Sequence, residues 1–183
     1  MSRRAAILLA AFLLCSPSLR SAEYTISIPK LERAIHDAVN AERKRHGLKV
    51  LESDDKLAAI ARKHSRDMAK RDYLSHRNPE GRGPTERGKA AGFPIRKPTA
   101  RGYAEGLAEN LFKGHLYHSV LRIAGIKRYK WISQADLARS IVSGWMNSPG
   151  HRKNILTGSF DMQGIGAAVS KERLEVYVTQ MFW

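Results

Sequence analysis

Trp145-Met146-Asn147-Ser148-Pro149-Gly150-His151-Arg152-Lys153-Asn154-Ile155-Leu156 is the stretch on which the reading of this chain turns. It sets polar groups where packing alone would not ask for them, between an apolar helix face and a turn. Upstream, Ala138, Ile141, Val142 and Trp145 recur at helical spacing, and Ser133-Gln134-Ala135-Asp136 opens that helix as a capping box. Ser148-Pro149-Gly150-His151 carries Pro second and Gly third, the signal of a type II turn, with a short helix expected through Leu156. His151 stands at the start of that helix, where the positive dipole end disfavours protonation and leaves a ring nitrogen free to coordinate.

C-terminal to this stretch, Gly164 to Val169 and Leu174 to Phe182 flank a polar turn at Ser170 to Arg173 and predict a β-hairpin. Leu174, Val176, Val178 and Phe182 share one face. Gln180 shares it too, so it is expected to meet a polar feature or a cavity. N-terminal to it, Ser27 to Arg45 predicts a helix with Leu31, Ile35, Ala38 and Val39 on one side, Pro29 in the first turn and Gly47 at the stop. A second helix is expected from Ser53 to about Leu74, with Ser53 as N-cap and a stripe of Leu57, Ile60, Ala61, His64 and Met68. His64, on that apolar stripe, is expected to be a core histidine with a hydrogen-bond partner. Ser75 to Ala108 is rich in Gly, Pro and Arg and reads as a long loop with one short helix near Pro84 to Ala91, stopped by Gly92. Phe112 to Trp131 mixes His115, Tyr117, His118, Tyr129 and Trp131 with Lys and Arg and matches neither period; His115 and His118 are expected in an exposed loop. Helices followed by a terminal hairpin read as α+β.

The chain has 183 residues, enough for one domain with a sizeable core. Arg3 and Arg4 precede an unbroken apolar run from Ala5 to Cys15, then Ser16-Pro17-Ser18 and small residues at Ser21-Ala22. This is the layout of a signal peptide over residues 1–22, cleaved after Ala22 or, alternatively, after Ser18, and it predicts a secreted or periplasmic protein. A retained anchor is the competing reading, but a spanning helix needs ~20 apolar residues. The single cysteine, Cys15, falls in this segment, so residues 23–183 form one domain without a disulfide. Lys and Arg number 32 against 17 Asp and Glu, a formal +15. Such a protein is drawn to polyanions, and for an exported chain these are anionic lipids or cell-wall polymers. The basic residues are scattered, and no nucleic-acid-binding signature accompanies them.

Several segments together resemble the CAP superfamily of cysteine-rich secretory, antigen 5 and pathogenesis-related (SCP-like) proteins. His64-Ser65-Arg66-Asp67-Met68 resembles its HSxDM segment, Ser75 to Gly81 its SHxNPxG, Glu109-Asn110-Leu111 its ENL, and Trp145 to Leu156 the bacterial WMNSPGHRxNIL signature. Gly164-Ile165-Gly166 and Tyr177-Val178-Thr179-Gln180 resemble its closing strands. The likeness runs from about Leu31 to Trp183. It implies a three-layer α-β-α sandwich around a central, mainly antiparallel sheet. It also implies a cleft that in many members holds two His and two Glu, which bind divalent metal, often zinc, in several of them. Carried over, these positions are His76, Glu109, His151 and, where the second Glu is expected, Ser148. With Gln180 they make the candidate cleft; His76, His151 and Glu109 are the candidate metal ligands.

Three functions follow as expectations. The first is an exported, non-enzymatic module that binds a lipid, peptide, glycan or metal in this cleft. The second is a hydrolase of envelope material, with zinc on His76 and His151 and Glu109 as ligand or general base. Ser148 in place of a second carboxylate argues against a glycosidase, and the mature chain has no thiol. The third is adhesion to anionic surfaces through net charge, which salt would abolish.

Overall fold

A computed structural model describes residues 24–99 and 102–183; the expected signal segment 1–22 lies outside them. Helix α1 (Ile28–Arg45) has Pro29 in its first turn and buries Leu31, Ile35 and Val39. Strand β1 (Glu52–Ser53) precedes α2 (Asp55–Arg71). Ser53 does not cap α2. It is extended in β1, paired with Gln163, and Asp54 takes the cap, its carboxylate accepting from the Leu57 N–H at 2.7 Å. The helix ends at Arg71, short of Leu74, because Asp72 turns left-handed at φ 51°.

The expected loop contains α3 (Pro84–Ala90), with Gly92 at φ 65° just beyond it. It also contains an unforeseen hairpin of β2 (Arg96–Thr99) and β3 (Gly102–Glu105). β4 (Ala108–His115) is followed by a second hairpin, β5 (Tyr117–Ile123) and β6 (Ile126–Trp131). His115 and His118 are exposed, as expected, but they stand in strands rather than in a loop. Helix α4 (Gln134–Asn147) starts as read: the Ser133 hydroxyl accepts from the Asp136 N–H at 3.1 Å. Ser148 to His151 is not a type II turn. Ser148 ends α4 and directly precedes α5 (Pro149–Ile155), with Pro149 in the first turn of the new helix. Proline's φ suits both geometries, and the helix wins because the Arg152 N–H closes on the Ser148 carbonyl at 2.8 Å. The chain ends in β7 (Met162–Ser170) and β8 (Glu175–Phe182).

The main sheet runs β1-β7-β8-β4, and its only parallel pairing among the described residues is β1 with β7. Strand alternation divides the core. Ile165 and Ala167 of β7 and Val176, Val178 and Phe182 of β8 pack with α1 and α4 around Trp145. The opposite face of β8 puts Met181 and Tyr177 against α2. There Gly164 and Gly166 let α2 lie on the strand: a Cβ on Gly166 would come within 2.0 Å of the Arg62 backbone nitrogen. The result is α+β, an α-β-α sandwich around a mainly antiparallel sheet. Among the described residues no helix is long and apolar enough to cross a membrane.

Candidate functional site

β4 is an edge strand of the main sheet, and its residues alternate between the two layers. Glu109 lies opposite Met181, on the α2 side; Asn110 lies opposite Gln180, on the side of α1, α4 and α5. The candidate site is therefore built around the outer edge of β4.

On the α2 side, the loop after α2 is tied into a small ring. The Arg82 N–H donates to Asn78 Oδ1 at 2.8 Å, the Asn78 N–H donates to the Arg82 carbonyl at 3.1 Å, and Gly81 turns at φ 78°. This presents His76, whose Nδ1 lies 2.8 Å from Glu109 Oε1. A carboxylate can only accept here, so Nδ1 carries a proton, on a ring that is half-exposed. The other oxygen of Glu109 accepts from Arg87 of α3. Arg87 also donates to the carbonyls of His76 at 2.8 Å and Arg82 at 3.0 Å. The Glu109 side chain is 1 % exposed and that of Arg87 9 %. A buried carboxylate needs a cation or a dense set of donors, and here a guanidinium supplies both.

On the other side, Asn110 Nδ2 donates to the His151 carbonyl at 3.2 Å and to Gln180 Oε1 at 3.1 Å. Gln180 Nε2 donates to Gln163 Oε1 at 2.7 Å, and Gln163 lies 3.0 Å from His36 Nδ1 on α1. Asn154 Nδ2 reaches Asn110 Oδ1 at 2.9 Å and the Glu109 carbonyl at 3.2 Å. This interior amide chain fixes β4 against α5. His151 is held below the usual imidazole pKa by burial first and by the nearby His76 second. The helix end invoked from the sequence adds little to this, since α5 has only seven residues.

His76 and Glu109 are thus brought into direct contact, and His151 lies near His76. Gln180 is fully buried and meets Asn110 and Gln163, a polar feature of the interior. Ser148 links α4 to α5. His64 is a core histidine, 1 % exposed, with Nε2 donating to the Ser75 carbonyl at 3.0 Å. Asn78 is a turn residue, whereas Asn110 and Asn154 are bracing residues of the site. Arg87 was missed by sequence reasoning. Its signal was a carboxylate at Glu109 with no second acid beside it, which calls for a buried cation nearby.

Of the expected zinc ligands, Glu109 is engaged on both oxygens in this arrangement. Glu109 orients His76 and is itself neutralised by Arg87, so neither of its oxygens is free for a metal. Among the described residues no three His, Cys, Asp or Glu side chains are grouped to hold a metal ion.

A sequence profile of the cysteine-rich secretory protein family (CAP) matches residues 36–182. The chain is 32 % identical over 140 residues to the uncharacterized protein YkwD of Bacillus subtilis, covering 76 % of this chain and 43 % of that one. It is similar to an extracellular SCP-domain protein of Bacillus anthracis, with TM-score 0.60 and 25 % identity over 85 % of this chain and 40 % of that one. It also shares its fold with an outer surface protein of Borrelia burgdorferi, with TM-score 0.64 and 17 % identity over 87 % of this chain and 96 % of that one. The chain therefore spans less than half the length of YkwD and of the Bacillus anthracis protein.

Proposed function

The chain belongs to the cysteine-rich secretory protein (CAP) family, and from that premise we propose that it is an exported, non-enzymatic binding protein. Its cleft at the edge of β4 takes the polar part of a lipid, peptide or glycan. The observation that carries this reading is the saturation of Glu109. A general base must turn an oxygen toward substrate, and both oxygens of this nearly buried carboxylate accept hydrogen bonds from the protein itself. Beside it stand the half-exposed ring of His76, oriented by Glu109, and the imidazole of His151, whose pKa burial lowers. Such groups recognise hydroxyls and amides. Export is supported by the layout of residues 1–22 and by the extracellular and outer-surface descriptions of two similar proteins.

One observation favours a second reading, a zinc-dependent hydrolase of envelope material. A carboxylate-oriented His76 beside a neutral His151 is the imidazole half of a zinc site. Zinc titration calorimetry on the protein and on its His76→Ala/His151→Ala variant decides between them. The expected result is no saturable site that depends on the two histidines. A one-site isotherm abolished in the variant, together with zinc-dependent cleavage of envelope material, would replace the binding reading with the hydrolase.

A further inference from the structure

The face of α2 turned toward α3 carries a charge pattern that the β4 cleft does not use. Lys63, Arg66 and Lys70 recur at three- and four-residue spacing, so they lie along one side of the helix. Like charges at these spacings repel, and among the described residues none of the three has an ion-pair partner. Arg82, on the loop opposite, has no ion-pair partner among them either. All four line a cavity of about 660 Å³ between α2, the loop at Asn78 to Arg82, and α3. The volume is in the range of small-ligand sites.

Acidic residues do not balance this wall. Asp67 and Glu80 also line the cavity, but both are bound to Arg71, Asp67 at 2.5 Å and Glu80 at 2.5 Å and 3.0 Å. That clamp holds the loop against α2; two carboxylates on one guanidinium leave one negative charge, against which Lys63, Arg66, Lys70 and Arg82 set four positive ones. A further lining residue has unused donor capacity: Arg87, with its side chain 9 % exposed, has a buried Nε–H without an acceptor. A buried donor left unmatched is costly, and a basic wall that repels itself is costly too; one occupant relieves both.

We propose that this cavity is a binding site for an oxyanion ligand carrying several phosphate groups. Four spare cations spread over a cavity of this size exceed what a single phosphate can span, and Lys and Arg side chains together suit clustered phosphate oxygens. Arg87 forms the wall between this site and Glu109, so the two sites are adjacent but use different side chains for their ligands.

The test is titration calorimetry with inorganic tripolyphosphate at physiological salt. Three variants are compared with the unchanged protein: Arg66→Glu/Lys70→Glu in the cavity wall, Lys127→Glu/Arg128→Glu on the exposed β5–β6 hairpin, and His76→Ala/His151→Ala in the cleft. Arg66 and Lys70 are exposed, so their replacement leaves the fold intact, which a thermal melt checks. The expected result is one saturable site, weakened about tenfold or more by the cavity pair and unchanged by the other two. Retention in the histidine variant separates this site from the cleft. Sedimentation with vesicles containing cardiolipin, which carries two phosphates per headgroup, assigns the source: loss with the cavity pair but not with the hairpin pair identifies a lipid headgroup, and indifference to the cavity pair identifies a soluble ligand. Absence of a saturable site, or equal weakening by the cavity and hairpin pairs, overturns the proposal, the latter by reducing the binding to net charge.

Discussion

Two hairpins of nearly equal length have opposite fates in this molecule. β7–β8 is covered on both faces, and every residue of β8 is buried. β5–β6 stands away from the sandwich, with Val120, Leu121, Ile123 and Ile126 between 45 % and 63 % exposed. What holds β5–β6 is a ladder of rings rather than a layer. Tyr24 stacks on Trp131 at 4.8 Å, Trp131 on Tyr129 at 5.0 Å, and Tyr117 approaches Tyr129 at 5.0 Å. Strand pairing alone is marginal in water, so one hairpin draws its stability from helices and the other from its aromatic base. The difference shows that backbone pairing is common to both, whereas tolerance of change is set by what lies on the faces.

The sharpest way to break that comparison uses one glycine from each hairpin. Gly166→Ala drives a Cβ into the backbone of α2, with Arg62 N at 2.0 Å and Ala61 C at 2.3 Å. The helix must lift off the sheet, at an expected cost of about 3 kcal/mol or more in chemical denaturation. Gly125→Ala, in the β5–β6 turn, meets open space; its φ of 80° is the only obstacle, so about 1 kcal/mol is expected. Equal losses would mean that the two hairpins are equally constrained.

Next in size is Glu32. β1 covers only the first two residues of β7, so the outward N–H of Ala167 has no strand partner. Glu32 of α1 accepts from it at 2.9 Å and binds Arg62 of α2 at 2.8 Å. One buried carboxylate thereby ties β7 to helices from both layers. Glu32→Ala leaves a buried donor unmatched and is expected to cost about 2 kcal/mol. A loss below about 0.5 kcal/mol would show that the helices hold β7 without this link.

The same contrast explains which parts were legible in the sequence. α1, α2, α4 and β7–β8 were readable because each presents an apolar face to a layer, and that face imposes a period. His76 and Glu109 were readable as a pair through family resemblance, and the structure joins them at 2.8 Å. β5–β6 and β2–β3 were not readable, because exposed strands have no buried face to write an alternation into the sequence. The cap of α2 was misplaced by one residue, since Ser53 and Asp54 are both good caps and only the pairing of Ser53 with Gln163 decides between them. Arg87 escaped because a cation on a seven-residue helix looks like surface until Glu109 is seen beneath it.

A smaller effect follows from one buried and two half-buried histidines of the sandwich. His36, His64 and His151 are each held below the ordinary value of 6.5, chiefly by burial. As pH falls through 6.5 the unfolded chain takes up protons before the folded one does. Stability from these groups is therefore complete above that value and is lost as pH drops below it. The denaturation midpoint is expected to fall between about pH 7 and pH 5, and less steeply in His64→Gln. A flat profile would mean that these rings protonate in place without strain.

The smallest expected effect is at the tip of β5–β6, and it tests the comparison from the other side. Ile123 and Ile126 flank the two-residue turn of Ala124 and Gly125, both at positive φ, and are 57 % and 63 % exposed. Backbone twist sets that turn, so their side chains contribute little to it. Ile123→Ser/Ile126→Ser should leave the denaturation midpoint within about 0.5 kcal/mol of the unchanged protein. A loss well beyond that would show these isoleucines buried in solution, against a second copy of the chain. It would then appear as a concentration-dependent midpoint, because association stabilises a fold by mass action and packing within one chain does not.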